Sequence, residues 1–228
     1  MQLLERITIV GAGRLGAALA QAAATAGLKV HGPLRRGESS TEPTDAVLLC
    51  VPDQAIAAAA AGLRVGPPVG HCSGATGLAP LEPHTAFSFH PLMTVSSGAP
   101  TSFTGVPCAV AGHPVARSLA ERLGMRPIEI AEADRAAYHA AASMASNFLV
   151  TLEQAAAQLG ATVGLERADL LPLVRATVEN WAQQGPDALT GPIRRGDLAT
   201  VARHRQALRE RAPELLSLYD ALAEVTAR

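Results

Sequence analysis

The chain has 228 residues, of which 48% are hydrophobic and 17% charged, a balance that excludes disorder and can support one substantial core or two modest ones. A formal net charge of −1 gives no basic field of the kind a nucleic-acid binder needs. No apolar run reaches the ~18 residues expected of a membrane helix and no signal-peptide pattern precedes the first apolar run, so the expectation is a cytoplasmic protein.

The first predicted element is the apolar run Ile7–Val10. It passes into Gly11-Ala12-Gly13-Arg14-Leu15-Gly16 and then into an alanine-rich helical pattern. The bare G-x-G-x-x-G hexapeptide is a weak signal in a glycine-rich chain, and its place between a strand and a helix makes it usable. In such a unit Gly11 permits the tight turn, Gly13 lets the backbone approach a pyrophosphate, and Gly16 lets the helix lie close to its strand. The helix N-terminus near Arg14 and Leu15 would supply free N–H groups and a positive dipole end to a diphosphate.

This helix is expected from Arg14 to Ala26, stopping at Gly27, with Leu28–His31 as the second strand. An NAD site usually places an acid at the end of that strand, whereas an NADP site places arginine nearby. Here the sequence reads His31-Gly-Pro-Leu-Arg35-Arg36, with no acid until Glu38. Arg35 and Arg36, with Arg14, suit a 2′-phosphate held by charge-assisted contacts, and the cofactor expectation is NADP.

After a polar link at residues 37–44, Asp45–Val51 reads as a buried parallel strand ended by Pro52, with Val51 and Pro52 facing the cofactor. Asp53 is expected to N-cap a helix running to about Gly62. Short strands then lead into Ser73 at Val69–Ala75 and into His90 at Thr85–Met93. Ligands of open α/β sheets bind beyond the carboxyl ends of strands, so Ser73 and His90 are expected to face one crevice. Two more strands at Val106–Ala111 and Arg126–Ile130, around a helix at Pro114–Leu123, complete a dinucleotide-binding domain over residues 1–131.

Residues 132–228 read as all-α. Glu132–Leu159 lacks helix breakers before Gly160, enough for about 42 Å of helix at ~1.5 Å per residue. Further helices are expected at Leu165–Gln184, Asp197–Arg211 and Pro213–Ala227. On the long helix His139, Ser143 and Asn147 stand at i, i+4 and i+8 and share a face. The three cysteines lack C-x-x-C spacing and read as buried free thiols, and the remaining histidines have no metal-ligand spacing.

The glycine loop, Val51-Pro52-Asp53, His71-Cys72-Ser73-Gly74, His90-Pro91-Leu92-Met93, Tyr138-His139 leading to Asn147, and Thr190-Gly-Pro-Ile-Arg194-Arg195-Gly-Asp197 together cover nearly the whole chain. This set resembles a bacterial family of Rossmann-like proteins whose C-terminal half is a domain of unknown function. In the wider class it is similar to pyrroline-5-carboxylate reductase, ketopantoate reductase, the β-hydroxyacid dehydrogenases and the deazaflavin-dependent NADP oxidoreductases. The resemblance implies a nucleotide domain, a helical substrate and dimerisation domain, and a homodimer built through the helices.

One departure from that wider class bears on chemistry. Ketopantoate reductases and β-hydroxyacid dehydrogenases use a lysine on the first helix of the second domain as proton donor, and the only lysine here is Lys29, on the second strand. His139 stands near the missing lysine's place, and a histidine with a reference pKa near ~6.5 can deliver a proton at neutral pH. His139 is thus the expected proton donor and His90 the second candidate, with Asn147 and Ser73 positioning the substrate. Ser143, Arg194 and Arg195 are candidate substrate contacts, the arginines through a fork to a carboxylate. The expected function is an NADP-dependent reductase acting on a small keto acid or cyclic imine bound between the two domains. The alternative is an NADP(H)-binding sensor or scaffold without turnover.

Overall fold

The computed structural model describes residues 4–96 and 101–228. β1 (Arg6–Val10) leads through the glycine loop into α1 (Arg14–Thr25), and the chain returns as β2 (Lys29–Leu34). α1 ends as expected: Gly27 has φ +82°, and the N–H groups of Gly27 and Leu28 donate to the carbonyls of Ala24 and Ala23 at 3.0 Å each, closing a Schellman turn. β2 continues to Leu34, three residues beyond the expected end, and pairs parallel with β1.

The polar link then carries the chain past β1 to β3 (Ala46–Leu49) on its other side. β4 (Val69–His71) and β5 (Ala86–Pro91) extend the sheet in parallel. β6 (Pro107–Gly112) pairs antiparallel with β5, and β7 (Arg126–Glu129) pairs parallel with β6. The order is β2-β1-β3-β4-β5-β6-β7, with the reversal of winding at β1/β3, where doubly wound Rossmann-like sheets bind their ligands.

Both faces of the sheet are covered, which explains the unbroken apolar run of β3. Ala46 and Leu48 pack into a core with Ile7, Ile9, Phe87 and Phe89, beneath α1 and α3 (Val115–Arg122). Val47 and Leu49 pack on the other face with Val69 and Leu81, against Ile56 and Ala60 of α2 (Ile56–Ala61). At the bottom of β1, Asp45 accepts hydrogen bonds from the Arg6 side chain (2.9 Å) and from the backbone N–H groups of Arg6 and Glu5 (2.8 and 3.0 Å). Burial works to raise the Asp45 pKa, but these contacts outweigh it and hold the carboxyl below its usual range.

The expected long helix is not uniform. A 3₁₀ turn at Glu132–Asp134 precedes α4 (Arg135–Ser143), a π-helical turn occupies Met144–Phe148, and α5 (Leu149–Ala161) follows. The π turn begins directly after Ser143, so Asn147 falls where the i+4 spacing from His139 and Ser143 no longer holds. Gly160 lies inside α5, and the positive-φ glycine of that helix end is Gly164.

Contacts group residues up to Ser143 with the sheet and those from Met144 onward as a second compact unit. This division falls beyond the change in secondary structure at residue 132, because Arg135 and Tyr138 of α4 bond to Ser88 and His90 of β5. The second unit contains α5, α6 (Arg167–Gln184), α7 (Leu198–Arg211) and α8 (Leu216–Thr226). A capping box of Glu166 and Asp169 starts α6, and Asp197 caps α7 by accepting from Thr200 N at 3.0 Å. No helix among the described residues is long and apolar enough to cross a membrane.

The sheet makes one sharp demand at Gly70, where a Cβ would lie 2.2–2.4 Å from the buried Phe87 ring. Gly70→Ala is expected to destabilise the protein by about 1–3 kcal/mol through overpacking. Urea unfolding measures this, and an unchanged midpoint would contradict the packing described.

Candidate functional site

The glycine loop is built by backbone packing. Gly11 has φ +110°, and a Cβ there would lie 2.2 Å from the Cys50 carbonyl oxygen; a Cβ on Gly16 would lie 1.8 Å from the Gly11 carbonyl oxygen. Both positions therefore require glycine for the helix to approach the ends of β1 and β3. Gly13 differs, since nothing lies within 4 Å of its would-be Cβ.

Gly13 is also the N-cap residue of α1 and provides no side-chain cap. The first helical bond runs from Ala17 N to Gly13 O at 2.9 Å, so the N–H groups of Arg14, Leu15 and Gly16 lie ahead of the ladder. An open backbone and three uncommitted donors at the end of a helix dipole fit a dinucleotide diphosphate. Ala12, Gly13 and Arg14 are exposed at this loop.

The second strand ends beside this loop. Gly11 N donates to Leu34 O at 2.8 Å, which places Arg35 directly beside the glycine loop. Arg35 and Arg36 are exposed in a turn whose first N–H is held by the Glu38 carboxylate at 2.7 Å. Two arginines at the end of β2 fit a 2′-phosphate. Val51 and Pro52 follow β3, and Val51 Cγ1 would be 3.3 Å from a Cβ on Gly11.

Asp53 does not cap a helix as expected. It opens a 3₁₀ turn at Asp53–Ala55 with no side-chain cap, because its carboxylate accepts the Ser73 hydroxyl at 2.8 Å. Ser73 Oγ in turn accepts from Ala75 N (3.2 Å) and Thr76 N (2.9 Å). The Ser73 hydroxyl thus gives its only proton to Asp53 and fixes the loop after β4. Beneath it, buried His71 donates from Nε2 to Gly77 O (2.9 Å) and accepts Ser73 N at Nδ1 (3.2 Å), and burial lowers its pKa.

His90 ends β5 next to this loop. A Cβ on Gly74 would come within 2.9 Å of both His90 Cε1 and His139 Cδ2, so the two imidazoles flank the Gly74 backbone. Their ring centroids are 6.5 Å apart. Tyr138, next to His139 on α4, places its hydroxyl 2.6 Å from His90 Nδ1 with the rings edge-on. Arg135, one turn earlier, is buried and donates to Ser88 Oγ (3.0 Å) and Glu132 (3.3 Å). Burial pushes the His90 pKa down to about 4, helped by His139 and the Arg135 charge, and burial raises Tyr138 to about 12. His90 is therefore neutral and Tyr138 protonated at neutral pH.

Sequence reasoning brought His90 and His139 to this place, but it did not find the roles of Tyr138 and Arg135. Their partners lie 48 and 47 residues away on β5, and only the Tyr138-His139 doublet hinted at them. Ser143 ends α4 half-buried, and Asn147 is exposed in the π turn. Arg194 and Arg195 are exposed in a turn closed by Asp197 N to Pro192 O (2.8 Å). Cys50 and Cys72, free as expected, lie with sulfurs 3.6 Å apart at the ends of β3 and β4. Among the described residues no three His, Cys, Asp or Glu side chains converge as a metal site.

Comparison with known proteins agrees with the fold. A Bacteroides fragilis protein provisionally described as an NADP oxidoreductase is 20% identical, with 98% of each chain covered and a TM-score of 0.81. Thermotoga maritima protein TM1727 is 25% identical over 97% of this chain and 98% of its own, with a TM-score of 0.77. The 1-pyrroline-5-carboxylate reductase of Streptococcus pyogenes is 16% identical over 97% and 98%, with a TM-score of 0.58. No curated protein matches the chain. The family model for a domain of unknown function, DUF2520, matches residues 102–226, more than half of the chain, and the protein belongs to that family.

Proposed function

We propose that the protein is an NADP-dependent oxidoreductase that reduces a small keto acid or cyclic imine. The observation that carries this reading is the junction of an open glycine loop, beside Arg35 and Arg36, with two imidazoles at the carboxyl edge of the same sheet. The B. fragilis protein's description and the pyrroline-5-carboxylate reductase likeness favour the same class.

Within this reading Gly13 to Gly16 hold the diphosphate, Arg35 and Arg36 the 2′-phosphate, and Val51 and Pro52 border the dinucleotide. NADPH, when bound, supplies a hydride. The chain supplies the proton and the orientation, with His139 the leading donor. Because burial keeps His90 neutral, His90 is less suited to act as an imidazolium acid. Ser143, Asn147, Arg194 and Arg195 remain candidates for substrate contact. Binding of NADP(H) without turnover is the second reading, favoured by the Ser73 hydroxyl being committed to Asp53 and by Lys29 lying on β2.

The helical unit is proposed to form a homodimer, since Phe148, Leu173 and Trp181 are 62%, 66% and 65% exposed. An obligate interface of this kind would bury roughly 2,000 Å² or more. Light scattering at micromolar concentration should give twice the chain mass, and a persistent monomer would refute it.

Calorimetric titration tests the cofactor. NADPH should bind more tightly than NADH, and replacing Arg35 and Arg36 by alanine should weaken NADPH on the order of 10²-fold with little effect on NADH. Equal affinities in the unmodified protein would sink the assignment. His139→Gln should lower turnover by ~10²–10⁴ while leaving NADPH affinity almost unchanged. Full activity in this variant would remove His139 from the mechanism.

A further inference from the structure

The two polar atoms at the His90–Tyr138 contact favour one arrangement of protons over the other. A neutral imidazole has one donor and one acceptor nitrogen, and a tyrosine hydroxyl has one proton to give. If His90 Nδ1 carried the proton and donated to Tyr138, the phenolic proton of the half-buried tyrosine would turn to solvent, since no protein acceptor is present among the described residues. Donation from Tyr138 to Nδ1 suits the contact better, since a phenol is the stronger donor, an imidazole nitrogen the stronger acceptor, and 2.6 Å is shorter than an N–H···O bond usually is; the proton of His90 then sits on Nε2. That atom has no protein partner among the described residues and lies 3.0 Å from the point a Cβ on Gly74 would occupy.

The charges around this donor are few. Arg135 is buried one turn before Tyr138 and bonds to Ser88, two residues before His90 on the same strand face. Its Glu132 partner has a side chain 66% exposed, and Asp53, whose charge works to raise the His90 pKa, accepts the Ser73 hydroxyl. His71 is neutral and bonded to Gly77, and His139 faces the ring from α4. Among the described residues no carboxylate hydrogen-bonds either imidazole, and the buried Arg135 guanidinium is paired with Glu132.

We infer that Tyr138 is a positioning residue that fixes His90 as a neutral Nε2–H donor, and that the site accordingly takes a carbonyl compound such as a keto acid in preference to a cationic iminium. A neutral N–H donates to a carbonyl oxygen lone pair, which a cationic iminium nitrogen lacks. The substrate class rests on the reductase reading, whereas the tautomer does not.

Nitrogen-15 spectra of histidine-labelled protein, assigned with His90→Gln, test the tautomer without any turnover. The His90 signals should show a neutral Nε2–H ring from pH 5 to 8. In Tyr138→Phe, which retains the edge-on ring, they should show mixed tautomers. A protonated or Nδ1–H ring at pH 7 in the unmodified protein, or no change in Tyr138→Phe, would overturn the positioning role.

The class is tested by NADPH oxidation with panels of 2-keto acids and of cyclic imines, 1-pyrroline among them. Keto acids should be favoured at least about tenfold in kcat/KM, and Tyr138→Phe should lower kcat by ~10–100-fold with the KM for NADPH unchanged. Faster imine reduction would overturn the class. No turnover of either panel by protein that binds NADPH would overturn the reductase reading and the class with it, leaving the spectra to decide the tautomer.

Discussion

Close approach of backbone to backbone at the carboxyl edge of the sheet is the constraint on which the site depends. Gly16 lies against the Gly11 carbonyl and Gly11 against the Cys50 carbonyl, so α1, β1 and β3 meet with no side chain between them. That contact aims the start of α1 into the crevice at β1/β3 and leaves its first N–H groups uncommitted. It also brings the end of β2 alongside through the Gly11 to Leu34 bond, carrying Arg35 with it. A methyl group at Gly16 would separate these elements, whereas Gly13 has open space around it and faces whatever the loop binds.

The same edge organises the imidazole cluster by a different device. Here buried polar side chains tie α4 to β5 through Arg135–Ser88 and Tyr138–His90. Desolvation keeps His90 and His71 uncharged, and the Arg135 charge adds to that effect. A neutral His90 ring held beside the Gly74 backbone would offer a reacting carbonyl a donor already in position, with no reorganisation needed during reaction.

Much of this was legible in the sequence because local chemistry set it. The strand–glycine–helix unit, the Gly27 stop, the buried run before Pro52 and the all-α second half follow from periodicity and from residues with special backbone freedom. Asp53 was misread as a cap because its rival partner, Ser73, lies on another strand. The π turn after Ser143 was hidden because its residues have no distinctive composition, and it undid the regular spacing from His139 to Asn147. Arg135 and Tyr138 were overlooked for the reason that a long-range side-chain bond leaves no periodic trace.

In the proposed function, one sheet edge holds both the dinucleotide and the reacting centre. A crystal structure of the protein with NADPH tests it most directly. Density is expected for the diphosphate on the N–H groups of Arg14, Leu15 and Gly16, for the 2′-phosphate at Arg35 and Arg36, and for the nicotinamide beside Gly74 and His90. A dinucleotide bound elsewhere, or a nicotinamide directed away from the two imidazoles, would contradict it.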